Sequence, residues 1–109
     1  RFEWEVHILP LNHQADFIQL SEEYLLDYAR VFRNTMIRLD AVLGGAQYNY
    51  FLHTLPHNYS DQDYQYSYHW HLEICPRTSI PSGFELGSGL YVNTVSPEAA
   101  AQQLRDIKI

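Results

Sequence analysis

The length and charge of the chain limit the kinds of protein it can be. It has 109 residues, and its hydrophobic content of 46% is enough for one domain with a buried core. The net charge is −6 with only seven Lys and Arg, so the basic stripe of a nucleic-acid binder is not visible. A single cysteine excludes an internal disulfide, and no apolar run has transmembrane length. We expect one cytoplasmic domain over residues 1–109 that binds neither nucleic acid nor membrane.

The first part of the chain predicts a strand followed by a long helix. Apolar and polar residues alternate over residues 2–9, which is typical of a half-buried strand, and Pro10 ends the pattern. Ser21 is a typical helix N-cap, and apolar residues then recur every three or four positions up to Leu43. Gly44 follows, as glycine commonly does after a helix. The pattern predicts a helix of about six turns.

Two further strands are predicted in the middle of the chain. Residues 47–54 and residues 66–75 both alternate in polarity, and the second segment does so strictly. Large apolar side chains occupy one side of that second strand. The other side carries His69, His71 and Glu73 in a row, roughly 6.6–7 Å from each to the next. This row is the main chemical signal in the sequence.

The last third of the chain predicts a loop, a short strand and a closing helix. Pro76 should end the third strand, and residues 76–89 are rich in proline, serine and glycine, which favours a loop. Residues 90–95 could form a short strand. Ser96, followed by proline at the first helical position, predicts a helix that runs to Arg105. The order of elements predicts an antiparallel α+β domain.

The histidines of the third strand have more than one chemical interpretation. His69 and His71 share a face, and His53 on a neighbouring strand could join them in binding zinc or iron, with a fourth ligand needed to close the site. Glu73 could be a ligand, an outer partner or a surface carboxylate. The histidines could also be ordinary solvent-facing residues. Alternatively, His71 could attack a phosphate ester as a nucleophile.

Motifs along nearly the whole chain occur in the order found in a known family. They are Ile8-Leu9-Pro10 with His13, His53-Thr54-Leu55-Pro56, the segment Tyr68-His69-Trp70-His71-Leu72-Glu73-Ile74, Gly83-Phe84-Glu85-Leu86-Gly87-Ser88-Gly89, and Ser96-Pro97-Glu98. This set resembles the carboxy-terminal half of the galactose-1-phosphate uridylyltransferase family, which belongs to the histidine triad superfamily. The resemblance implies a histidine-triad-like antiparallel β-sheet packed against a long helix, with a short C-terminal helix.

The resemblance also implies roles for individual residues. His53, His69 and His71 match the family's second metal site, for zinc or iron, whose remaining ligand is a glutamate of the amino-terminal half. That half also carries a His-Pro-His-x-Gln motif with the nucleophilic histidine, which this sequence lacks, so no catalytic residue is expected here. Contacts to the hexose phosphate match a segment that contains Phe84, Glu85, Gly87, Ser88, Gly89 and Asn93.

By this resemblance the chain is the carboxy-terminal domain of a nucleotidyltransferase of galactose metabolism. Its partners would be a nucleotide sugar, a hexose 1-phosphate, the missing amino-terminal domain and a second copy in a homodimer. The Gly-Phe-Glu-Leu-Gly pattern is closer to the branch that includes plant ADP-glucose phosphorylase, and Ser88-Gly89 replaces a Tyr-Glu pair of bacterial members. The sequence also leaves open an autonomous histidine-triad nucleotide hydrolase that uses His71 and a non-enzymatic dimerisation module.

Overall fold

The computed structural model describes residues 3–55, 68–78, 83–90 and 93–109. Within these ranges the chain forms an α+β domain, as predicted. Its strands are β1 (Val6–Ile8), β2 (Gln47–His53) and β3 (His71–Arg77), and its helices are α1 (Glu22–Leu43), α2 (Gly83–Ser88) and α3 (Pro97–Arg105). A 3-10 turn at Phe17–Gln19 precedes α1. None of the described helices is both long enough and apolar enough to span a bilayer.

The sheet of the described residues is antiparallel, with β3 between β1 and β2. The prediction that Pro76 ends the third strand is wrong, because β3 continues to Arg77. Pairing with β1 stops where Val6 lies opposite Ile74, so at Pro76 the only described strand beside β3 is β2. Proline is tolerated where a strand has one neighbour, since its missing N–H need not serve a second ladder.

The long helix has the predicted bounds because its end signals are local. The Ser21 hydroxyl accepts a hydrogen bond from the Tyr24 amide, and Gly44 ends the helix in the left-handed conformation with φ 68°. One side of the helix packs on the sheet, where Leu39 is fully buried. One buried cluster of the core consists of Ile8, Leu39, Leu72 and Ile74. Trp70 and Ala100 are buried as well.

Other elements differ from the sequence prediction. β1 is shorter than residues 2–9, because Trp4 adopts φ 62° and interrupts the extended backbone. The predicted loop over residues 76–89 contains α2, in which the Ser88 hydroxyl donates a hydrogen bond to the Phe84 carbonyl. The predicted short strand at residues 90–95 is not seen at its described positions, and residues 91–92 lie outside the described ranges, as do residues 66–67 of the third predicted strand.

The predicted closing helix is confirmed as α3, and a side chain of α1 contacts its C-terminal end. The Ser96 hydroxyl caps α3 by accepting from the Ala99 amide. At the other end, the Arg38 guanidinium of α1 donates hydrogen bonds to the carbonyls of Leu104 and Ile107, at 2.7 and 2.8 Å. A cation at a helix C-terminus also interacts favourably with the helix dipole. This contact ties the end of the chain to the side of the sheet that α1 covers.

Candidate metal centre

The two sides of β3 have opposite character, as its alternation predicts. Leu72 and Ile74 are no more than 1% exposed and lie in the core with α1. His71, Glu73 and Cys75 alternate with them and are half-buried on the other side. We call this second side the open face of the sheet. Because successive side chains of a strand point to opposite faces, packing of the apolar residues against α1 places the polar ones together.

Two of the predicted metal ligands meet on the open face. His53 of β2 lies directly opposite His71 of β3, and their rings stack with centroids 4.6 Å apart at an angle of 17°. Glu73 lies beside both, with carboxylate oxygens 3.5 Å from Nε2 of His53 and 3.5 Å from Nε2 of His71. One ligand atom from each residue lies within 4.8 Å of the others. Two imidazoles and a carboxylate form a donor set that suits zinc or non-haem iron.

The third predicted ligand, His69, lies outside this group. Its Nε2 is 3.1 Å from Nδ1 of His13, and the two rings meet edge to face with centroids 4.3 Å apart. At this distance one of the two nitrogens donates a hydrogen bond to the other. The regular strand begins only at His71, so the alternation that predicts a shared face for His69 and His71 does not extend to His69.

His7 of β1 lies at the edge of the candidate site. The strand pattern alone does not connect it with the site. Nε2 of His7 in β1 is 2.7 Å from Glu5 Oε2 and 3.9 Å from Glu73 Oε1. Glu5 lies just before β1, and its carboxylate reaches the side of the strand on which His7 lies. Only the pairing register, which sets His7 opposite Glu73, shows that this is the face of the candidate metal centre.

The thiol of Cys75 is also on the open face and belongs to the same row of polar groups. It donates a hydrogen bond to Glu5 Oε1 at 3.7 Å. Burial, together with the nearby charge of Glu5, raises the pKa of the Cys75 thiol to about 11. The thiol is therefore protonated at neutral pH, which suits its role as the hydrogen-bond donor to Glu5.

The predicted substrate-contact residues lie on or after α2. Phe84 is 61% exposed, Glu85 is half-buried, and Gly89 follows the helix with φ 73°, a conformation that favours glycine. Asn93 is exposed, and its side-chain oxygen accepts a hydrogen bond from the Val95 amide. The positions predicted in this segment are Phe84, Glu85, Gly87, Ser88, Gly89 and Asn93.

No protein-family model matches the chain. It is 31% identical to ADP-glucose phosphorylase from Arabidopsis thaliana over 99% of its own length and 30% of that protein. It is 26% identical to galactose-1-phosphate uridylyltransferase from Thermotoga maritima over its whole length and 36% of that protein.

Solved structures show the same relationship in three dimensions. The crystal structure of the Arabidopsis ADP-glucose phosphorylase with bound ADP-glucose matches 99% of the chain, with a TM-score of 0.88 and 31% identity, and 35% of that structure is covered. A GalT-like protein from Arabidopsis thaliana matches 99% of the chain with a TM-score of 0.89 and 30% identity, over 36% of its length. The chain thus spans about a third of the length of the relatives it matches.

Proposed function

Because the chain belongs to the galactose-1-phosphate uridylyltransferase family, within the histidine triad superfamily, we propose that it is the carboxy-terminal domain of a nucleotidyltransferase that acts on nucleotide sugars. The observation that carries this proposal is the match in sequence and fold over nearly the whole chain, at 31% identity and a TM-score of 0.88. The missing amino-terminal half, which carries the nucleophilic histidine in this family, would complete the enzyme.

The first contribution of the domain to that enzyme is a metal site. His53, His71 and Glu73 would hold zinc or iron on the open face, where their ligand atoms already lie together. His69 is the remaining proposed ligand, and it would have to leave its contact with His13 to bind the same ion. When bound, the ion would join β2 to β3 and add positive charge to this side of the sheet. The proposed ligands would hold the ion from two neighbouring strands, β2 and β3.

The second contribution is part of the hexose 1-phosphate pocket. The segment from Phe84 to Asn93 corresponds to the family's sugar-phosphate contacts, and its described side chains are mostly exposed, as contact residues for a ligand must be. The other part of the pocket would come from the missing half or from a second copy in a homodimer. In this arrangement His71 binds metal and does not form a covalent nucleotide intermediate.

A second candidate activity is that of an ADP-glucose phosphorylase. The specific observation in its favour is the higher identity to that enzyme, 31% against 26% for the uridylyltransferase. The two activities differ in the acceptor of the nucleotidyl group, which is a hexose 1-phosphate in one case and inorganic phosphate in the other. Assay of the protein that contains this domain with UDP-glucose plus galactose 1-phosphate, and separately with ADP-glucose plus phosphate, would distinguish them.

We propose that this domain binds metal and that the amino-terminal half carries the nucleophile. This can be tested on the 109-residue chain. Titration should show binding of one zinc ion, and incubation with labelled UDP-glucose or ADP-glucose should leave no acid-labile adduct on the protein. An adduct that disappears in His71→Ala would contradict the proposal and support an autonomous nucleotide hydrolase. A chain that forms a dimer in sedimentation but binds no metal would instead favour the non-enzymatic dimerisation module.

A further inference from the structure

The carboxylate of Glu3 joins three segments that lie far apart in the sequence. Glu3 precedes β1, Thr78 follows β3, and Thr94 lies between α2 and α3. One carboxylate oxygen of Glu3, Oε1, accepts hydrogen bonds from the backbone amide of Thr94 at 3.1 Å and from its hydroxyl at 2.5 Å. The other oxygen accepts a hydrogen bond from the Thr78 hydroxyl at 3.2 Å. Donors from two other segments therefore fix the Glu3 side chain.

The two hydrogen bonds from Thr94 are the stronger part of this contact. The hydroxyl and then the amide of Thr94 are the main causes that lower the pKa of Glu3, so they favour its charged form. Hydrogen bonds to a charged acceptor are roughly twice as strong as those between neutral groups. Thr94 itself is exposed, so burial of its side chain contributes little to holding it in place. Its polar contacts with Glu3 hold it beside the start of β1.

Asn93, the last of the predicted sugar-phosphate contacts, directly precedes Thr94. Its side-chain oxygen accepts a hydrogen bond from the Val95 amide at 2.9 Å. Because a backbone N–H requires an acceptor, the oxygen of the Asn93 side chain faces Val95, and its NH₂ group is left to donate elsewhere. Asn93 is exposed, so a ligand can reach this donor. The direction of the NH₂ group thus depends on the backbone from Asn93 to Val95, whose middle residue Glu3 holds.

We propose that Glu3 is a positioning residue of the hexose 1-phosphate pocket, where it holds Thr94 so that Asn93 presents its NH₂ group to an oxygen of the ligand. The inference rests on the proposed function and adds to it a residue outside the predicted contact segment. Glu3 acts through Thr94 and does not touch the ligand, since a carboxylate next to a phosphate would repel it. A contact residue that is already held in place loses less conformational freedom when the ligand binds.

The test is a set of dissociation constants for glucose 1-phosphate, measured by calorimetry on the protein that contains this domain. Transfer of the nucleotidyl group from UDP-glucose or from ADP-glucose releases glucose 1-phosphate, so this ligand serves for both candidate activities. Glu3→Ala should weaken its binding roughly tenfold, the equivalent of one hydrogen bond to a charged group. Glu3→Gln keeps an oxygen that can accept from Thr94 and should retain most of the affinity.

The matched control truncates a carboxylate that lies elsewhere on the surface. Asp27 of α1 is 62% exposed at its side chain and is paired with Arg30 at 3.6 Å. Asp27→Ala should bind glucose 1-phosphate as the wild type does. Thr94→Val removes only the hydroxyl donor and keeps the size of the side chain, so it should weaken binding in the same direction as Glu3→Ala. This variant tests the inference even if Glu3→Ala does not fold.

The direction of the change separates a positioning role from an effect of charge alone. If Glu3 acted only through its charge, its removal would reduce repulsion of the phosphate, and both Glu3→Ala and Glu3→Gln would bind more tightly. Tighter or unchanged binding in Glu3→Ala, or unchanged binding in Thr94→Val, would overturn the positioning role and leave the proposed function in place. If the wild type bound no glucose 1-phosphate, the proposed pocket would be overturned together with the role of Glu3.

Discussion

The two sides of β3 differ in what covers them, although their residues alternate along one strand. On the side of α1, Leu72 and Ile74 are almost completely buried and belong to the core. On the open face, His71 and Glu73 are 28% exposed at their side chains and contact other ionisable groups. Burial of apolar area stabilises the fold, whereas half-exposed imidazoles and carboxylates contribute little unless a ligand joins them. The face that α1 covers therefore carries most of the stability, and the open face is where we propose that a metal ion binds.

Truncation of neighbouring residues on opposite faces of β3 should have very different effects on stability. Ile74→Ala removes a fully buried side chain and should lower the free energy of unfolding by about 2–5 kcal/mol, through lost burial and the cavity left behind. Ile74→Val should cost about 0.5–1.5 kcal/mol. Urea unfolding of the metal-free chain measures both. A similar loss in Glu73→Ala would show that the open face also carries the fold.

Substitution of the proposed ligands should weaken zinc binding and leave the stability of the metal-free chain nearly unchanged. His53→Ala and His71→Ala should each weaken zinc binding by at least about a hundredfold, or about 2.7 kcal/mol, because each removes one imidazole from the ion. The free energy of unfolding of the metal-free variants should stay within about 1 kcal/mol of the wild type.

The matched control for these ligand variants is Ile74→Val, which should bind zinc normally. If the wild type, His53→Ala, His71→Ala and Ile74→Val all bound zinc equally, the ion would not be held by the stacked pair of His53 and His71.

Arg38 extends the comparison to the contact between α1 and α3. Arg38→Met removes the charged donor to the carbonyls of Leu104 and Ile107 and should lower the free energy of unfolding by about 2 kcal/mol, as for other hydrogen bonds from a charged group. Arg38→Lys keeps the charge without the planar fork and should lose less. Thermal or urea unfolding measures the loss. A change in zinc affinity would contradict the separation of the two faces.

The smallest expected effect concerns Glu3, a carboxylate outside the candidate site. Hydrogen bonds from the side chain and backbone amide of Thr94, with a further one from Thr78, lower the pKa of Glu3 from its usual value. A group with a lowered folded-state pKa adds stability above its unfolded pKa, which is about 4.3 for glutamate. That stability is lost as the pH falls through the folded pKa.

The measurement is the difference in unfolding free energy between the wild type and Glu3→Gln at several pH values. It should be constant near neutral pH and shrink as the pH falls below about 4. A pH-independent difference would show that the hydrogen bonds to Thr94 and Thr78 act without favouring the charged form of Glu3.

Much of the fold could be predicted because its signals are local. Ser21 and Gly44 fix the ends of α1 through hydrogen bonds and backbone angles within a few residues, and Ser96 does the same for α3. The start of β3 was not predictable in this way. Where a strand begins depends on its pairing with distant residues, and this decides that His71 belongs to the ladder while His69 contacts His13.

The part of the candidate site that depends on alternation within one strand could be predicted, whereas the part that depends on pairing between strands could not. The alternation of β3 predicted one face for His71 and Glu73, and a neighbouring strand was expected to bring His53. The position of His7 beside the site depends on the register between β1 and β3, because a shift by one residue would turn its side chain to the other face. Strand pattern alone carries no information on that register.

The central claim is that imidazole and carboxylate groups on the open face hold a metal ion. X-ray absorption at the zinc edge of the zinc-loaded chain tests it most directly, because nitrogen or oxygen ligands at about 2.0–2.2 Å are distinguished from sulfur at about 2.3 Å. The account predicts one zinc ion per chain, bound through nitrogen and oxygen atoms that include the imidazoles of His53 and His71, and without sulfur. Coordination by the sulfur of Cys75, or no stoichiometric zinc, would contradict it.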